Sequence, residues 1–234
     1  MGDPVVDRLT GTVAGRLAEV RRRIEVAGGG RAVRVVAVTK GVAADLVAAA
    51  LHAGVSDFGE NYAEELLAKA AVVVPVVAPV ESSCRWHFLG AVQRRKVRDL
   101  APTVACWQSV DRLSAGQEIA RRAPGATVLV QVEITGRPGR NGCAPDQAAT
   151  LVERLRETGL NVAGLMAVGD RSDPRPGFRR LADLGRRLEL AELSMGMSDD
   201  LEVAVNEGST IVRVGRALFG PRPGPEDLRR YPHP

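Results

Sequence analysis

The feature that most constrains this chain is a rhythm. Short apolar runs alternate with longer amphipathic stretches in eight successive units. A leading helix is predicted over 5–26, where Val6, Leu9, Val13, Leu17, Val20 and Ile24 recur at spacings of three and four with arginines between them. The glycines at 28–30 end it. Strands are then predicted at 33–38, 55–58, 86–90, 104–110, 127–134, 162–168, 193–196 and 211–215. Helices are predicted between them at 43–53, 61–70, 91–100, 111–122, 145–158, 174–189 and 199–207. Continuous apolar strands alternating with amphipathic helices imply a parallel sheet buried on both faces. Eight units favour closure into a single-domain (β/α)8 barrel over an open, doubly wound sheet.

Length agrees, since 234 residues make one barrel. No linker separates a second domain, so residues 1–222 are assigned to the barrel and 223–234 to a mobile tail. The Pro/Val-rich segment 71–85 reads as an irregular loop between the second and third units. With 45% hydrophobic but only 3% aromatic residues, the core must be aliphatic. The net charge of +4 comes almost entirely from arginines scattered at helical spacing, so no nucleic-acid-binding tail is indicated. Three cysteines, Cys84, Cys106 and Cys143, without CxxC spacing, argue against a disulfide framework and a zinc site. The N-terminus lacks the apolar core of a signal peptide, and no apolar stretch is long enough to span a membrane, so a cytoplasmic protein is expected.

A barrel places its chemistry at the C-terminal ends of its strands. There the predicted elements put Thr39 and Lys40, then Phe58 to Tyr62, His87 and Gly90, Ser194 to Asp200, and finally Arg213, Gly215 and Arg216. Lys40 ends the apolar run VRVVAVTK. It is either a solvated strand-end lysine or an amine desolvated by the barrel mouth, which would make it a nucleophile toward a carbonyl. The stretch SMGMSDD is either a helix capped by Ser198 or an anion cradle at a helix start. Arg213 sits inside an apolar strand, where an unpaired charge is costly, so it needs an acceptor at the rim. Gly215 allows close backbone approach there, and loops after strands seven and eight often form a phosphate cup in such barrels. His87 is a weaker candidate facing the barrel interior, while His52 on a predicted helix reads as structural and His233 lies in the tail. There is no HExxH, P-loop or dinucleotide fingerprint.

Six stretches, VVAVTK at 35–40, FGENYAEEL at 58–66, WHFLGAVQRRKV at 86–97, GLMAV at 164–168, LSMGMSDDLEVAV at 193–205 and GSTIVRVGRALFG at 208–220, closely resemble the pyridoxal 5′-phosphate (PLP) homeostasis family, often called YggS/PROSC. The resemblance implies a fold-type III PLP barrel like the N-terminal domain of alanine racemase. By position, Lys40 would hold C4′ of PLP as a Schiff base. Ser198 and the backbone amides of Gly215 and Arg216 would bind the phosphate. Arg213 would face the pyridine nitrogen, Asn61 would lie near the ring, and Met195 would line it. Arg216 stands where threonine or serine is frequent, Arg95 replaces a common asparagine, Arg140 replaces a common lysine, and Val42 stands where a second lysine is often found.

The resemblance further implies a carrier more than an enzyme. A cationic arginine at the pyridine nitrogen disfavours its protonation and makes the ring a poorer electron sink. Alanine racemases also use a tyrosine from an additional domain, and the tyrosines here are Tyr62 and Tyr231. The expected partners are PLP and PLP-dependent client enzymes, with neither nucleic acid nor membrane, and a monomer is expected. The alternatives are a small amino-acid racemase and an interaction module that binds no PLP.

Overall fold

The structure is a computed structural model that describes residues 4–30, 32–76 and 84–221. Helix α1 (Pro4–Val26) comes first. Eight strands follow: β1 (Arg34–Val38), β2 (Asp57–Glu60), β3 (Arg85–Phe88), β4 (Val104–Val110), β5 (Thr127–Gln131), β6 (Asn161–Met166), β7 (Glu192–Ser194) and β8 (Ile211–Val214). Between them lie α2 (Ala44–His52), α3 (Ala63–Val76), α4 (Arg94–Leu100), α5 (Leu113–Arg122), α6 (Ala148–Glu157), α7 (Arg175–Arg187) and α8 (Leu201–Asn206), and the single turn α9 (Arg216–Phe219) follows β8. Each strand pairs in parallel with the next, and β8 pairs with β1, which closes the barrel.

Closure divides the core in two, because successive strand side chains face opposite ways. A large aliphatic layer between strands and helices includes Val35, Ala37, Leu165, Val212 and Val214. A small apolar cluster fills part of the interior with Val36, Cys106, Leu129, Met166 and Ile211. Helix α1 stands outside the repeat and packs on α2, α8 and α9, covering the seam where β8 meets β1. Its Arg16 donates to the Leu218 carbonyl, and its Arg23 forms a two-pronged ion pair with Glu202.

Several boundaries differ from the sequence reading, most by one to three residues, and three of the differences have a plain physical cause. Strand β2 begins two residues later than predicted, because pairing with β1 starts at Asp57 opposite Val36. Two of its four residues are the buried carboxylates Asp57 and Glu60, which an apolar pattern does not register. Segment 71–76 is the last part of α3 rather than loop, since Leu66, Ala70 and Val73 continue one buried stripe at helical spacing. The rest of that segment through 83 and the predicted tail, with Tyr231 and His233, lie outside the described residues. Strand β5 ends at Gln131, because beyond it only a single bridge joins Val132 to Cys143.

Candidate functional site

Lys40 lies half-buried two residues past the end of β1, and its place is set from below. Thr39 N–H donates to the Gly59 carbonyl (2.9 Å), and Thr39 Oγ1 donates to Glu60 Oε1 (2.9 Å). The Lys69 ammonium donates to the Thr39 carbonyl (2.6 Å), to Glu60 Oε1 (2.5 Å) and to Glu65 Oε2 (2.7 Å). The same Glu65 oxygen accepts from Gly41 N–H (2.8 Å), and Gly41 takes the left-handed φ of +69° that a side chain would resist. Both neighbours of Lys40 are thus tied to one buried cluster.

Asn61 follows β2, with its N–H on Glu60 Oε2 (3.0 Å). Its carbonyl presses on Gly90, where a Cβ would stand 1.9 Å from the Asn61 oxygen, so only glycine fits at the end of β3. Tyr62, the next residue, is exposed.

Across the seam, the end of β8 closes on the end of β1. A Cβ on Gly215 would lie 3.2 Å from the Val38 carbonyl oxygen. Ser198 Oγ accepts from the Ala217 amide of α9 (3.2 Å), which brings Ser198, Gly215 and Arg216 together. Ser198 therefore does not cap α8, one of the two readings that its sequence context left open. Asp200 Oδ1 takes the Met197 N–H (2.5 Å), and α8 starts only at Leu201. The Ser198 carbonyl accepts from Arg23 of α1 (2.9 Å). The Arg216 side chain is exposed and pairs with Asp199, so what it turns toward the others is its backbone. Met195 is fully buried within the layer between strands and helices, while its neighbour Ser194 points inward.

Arg213 is buried, and its guanidinium meets only neutral acceptors in three bonds: the Ser194 carbonyl (2.6 Å), Ser194 Oγ (2.8 Å) and the Ala167 carbonyl (2.8 Å). Burial pulls it down to about 10, and the Asp200 carboxylate works against that. It therefore stays a cation at neutral pH. From Ser194 a polar chain crosses the barrel interior. Ser194 Oγ–H reaches Gln108 Oε1 (2.6 Å), Gln108 Nε2 meets His87 Nδ1 (2.8 Å), and His87 Nε2 meets Asp57 Oδ1 (2.8 Å). Arg85 holds both oxygens of Asp57, at 3.0 and 2.7 Å. Sequence reasoning flagged His87 but missed Asp57, Glu60, Lys69, Gln108 and Ser194 as partners. The available signal was a polar residue inside an otherwise apolar run, as in VACWQSV.

The rim also holds a cavity of about 250 Å³ beyond β5 and β6, lined in part by Glu133 and Arg140. Among the described residues, no group of three or more His, Cys, Asp or Glu is placed to hold a metal ion, and no helix is long and apolar enough to cross a membrane.

The family model for the alanine racemase N-terminal domain matches residues 13–223. A pyridoxal phosphate homeostasis protein of Pseudomonas aeruginosa is 38% identical over 227 residues, covering 90% of this chain and 96% of that one. An unknown protein from Bifidobacterium adolescentis has a crystal structure that superposes with a TM-score of 0.83 at 32% identity, covering 94% of this chain and 98% of that one. PipY of Synechococcus elongatus, solved with PLP bound, superposes with a TM-score of 0.76 at 28% identity, covering 89% of this chain and all (100%) of that one. The closed barrel with its leading helix, the polar rim at the β7–β8–β1 seam and these likenesses agree, and the chain belongs to the alanine racemase N-terminal domain family and, within it, to the pyridoxal phosphate homeostasis proteins.

Proposed function

We propose that this protein binds PLP at the β7–β8–β1 rim and serves intracellular PLP homeostasis as a carrier of the cofactor. The observation that carries the reading is Arg213, a buried cation with only neutral hydrogen-bond partners, facing the same rim as Lys40. A guanidinium so placed suits an electron-rich ligand. The surrounding residues fit PLP. Lys40 is an amine for the aldehyde. Ser198 with the amides of Gly215 and Arg216 is a cup for the phosphate, and Gly215 admits no side chain without crowding Val38. Arg213 would address the ring nitrogen and Asn61 the ring. The Met195 side chain, packed in the outer layer, contributes by fixing the end of β7.

When bound, PLP supplies an aldehyde and a conjugated ring capable of withdrawing electrons. The residues of this chain restrain that second capacity. Arg213 donates and does not accept, so a ring nitrogen placed against it would be kept unprotonated. Tyr62 lies exposed after β2, and among the described residues no hydrogen bond orients it as an acid or base. A monomeric, cytoplasmic carrier that passes PLP to client enzymes accounts for a lysine and a phosphate cup without a second acid/base.

The test is the absorbance of the purified protein with added PLP, followed by borohydride reduction and peptide mapping. A visible band trapped on Lys40 and lost in Lys40→Ala is expected, and no band in excess PLP overturns the reading. Solvent-deuterium exchange at Cα of alanine or serine no faster than with free PLP is expected, and faster exchange would make the protein an enzyme.

A further inference from the structure

Inside the barrel, the bonds between Asp57 and Arg213 share one polarity. Asp57 is held by Arg85 on both oxygens and by Ser56 (2.8 Å), and it is the only ionised acceptor in the line. It takes the His87 Nε2–H, and the other ring nitrogen, Nδ1, faces the Gln108 amide NH2 as its acceptor. Gln108 presents its NH2 to His87 and its carbonyl to Ser194. Ser194 Oγ gives its proton to Gln108, so a lone pair is all that it offers Arg213. With one proton on the ring, turning the Gln108 amide over would move that proton to Nδ1 and set a bare Nε2 against the Asp57 carboxylate at 2.8 Å, a repulsive contact. Gln108 is fully buried and His87 and Ser194 nearly or wholly so, so water cannot make up for a broken link.

We infer that Gln108 and His87 are positioning residues for the cofactor: with Asp57 they form an oriented chain that holds Ser194 as an acceptor and so fixes the Arg213 guanidinium at the rim. This rests on the reading of Arg213 as the group that faces the ring nitrogen. The direction of hydrogen bonding at the rim is thereby set by a carboxylate at the opposite, N-terminal end of the barrel, where β2 and β3 begin. An amide in the middle serves this role better than an acid would, because it cannot take a proton and reverse the chain.

The experiment compares wild type, Gln108→Leu and Ser194→Ala by three readouts: PLP dissociation constant, pH midpoint of the visible band of bound PLP, and thermal midpoint. Leu129→Val, in the apolar part of the same interior, is the packing control. In both chain variants PLP is expected to bind about tenfold more weakly, a loss the size of one hydrogen bond to a charged group. The band midpoint is expected to rise by about half a unit, because displacing a cation favours the protonated cofactor. Leu129→Val is expected to lower the thermal midpoint with the band unchanged. If Gln108→Leu does not fold, Ser194→Ala, which deletes one hydroxyl, decides. Wild-type affinity and midpoint in the chain variants would overturn the inference, whatever their stability. A wild type without any band would instead remove the PLP reading, and this inference with it.

Discussion

The Lys69 ammonium lies 2.6 Å from the carbonyl oxygen of Thr39, the residue just before Lys40. One buried lysine thus holds the backbone from which the other lysine projects. Lys69 is 7% exposed and Glu60 is completely buried, so their ion pair is largely shielded from water.

Replacing Lys69 by methionine leaves the Glu60 carboxylate buried without its cation. Such a loss costs about 3 to 5 kcal/mol. Urea unfolding should register it, and Glu60→Gln in the Lys69→Met background should recover much of it by removing the stranded charge. Equal stability of single and double variants would show that the pair is not the source.

Arg23 ties α1 to α8 through Glu202 and reaches the Ser198 carbonyl at 2.9 Å. Glu202 is 42% exposed, so solvent screens the pair and Arg23→Ala should cost only about 1 kcal/mol. The larger consequence is local. The Ser198 segment loses its outer support, and PLP retention should fall about threefold more than the change in unfolding midpoint explains. Equilibrium dialysis against PLP checks this.

Burial pushes the Asp57 carboxyl up, but the hydrogen bonds from His87, Arg85 and Ser56 outweigh it and hold the group well below the ordinary carboxylate range. A carboxyl with a depressed folded value adds stability above its unfolded pKa of about 3.9 and loses it as pH falls toward the folded value. Asp57→Asn should therefore be less stable than wild type by about 2 kcal/mol at neutral pH, with the gap closing as the pH drops below about 4. Urea midpoints at a series of pH values test the sign. A gap that widens in acid would contradict it.

All three thiols are made poor nucleophiles by burial, which pushes Cys84 and Cys143 up to about 11 and Cys106 up to about 12. At pH 8 the native protein should react with a disulfide reagent roughly a hundredfold more slowly than the unfolded chain. Cys84, the least buried of the three, should react first. A fast native reaction at Cys106 would show that the barrel opens.

The sequence alone determined the eight-unit barrel and its leading helix, because apolar periodicity records which faces are buried, and the barrel is closed by eight such units. It also set Lys40, Asn61, Ser198, Arg213, Gly215 and Arg216 at strand ends, because motif order follows chain order. Tertiary structure decided what those residues touch. Arg213 and Ser194 are 19 positions apart, Gln108 and Ser194 are 86 apart, and His87 and Asp57 are 30 apart. No local pattern pairs residues at such separations, since strand register and barrel closure bring them together. The same closure turned Ser198 from a helix cap into a partner of α9 and Met195 into core. It also made buried polar groups such as Gln108, Glu60 and Lys69, unremarkable in the linear chain, into the supports of the rim, because inside a barrel a polar side chain must find its partner across the interior or remain unsatisfied.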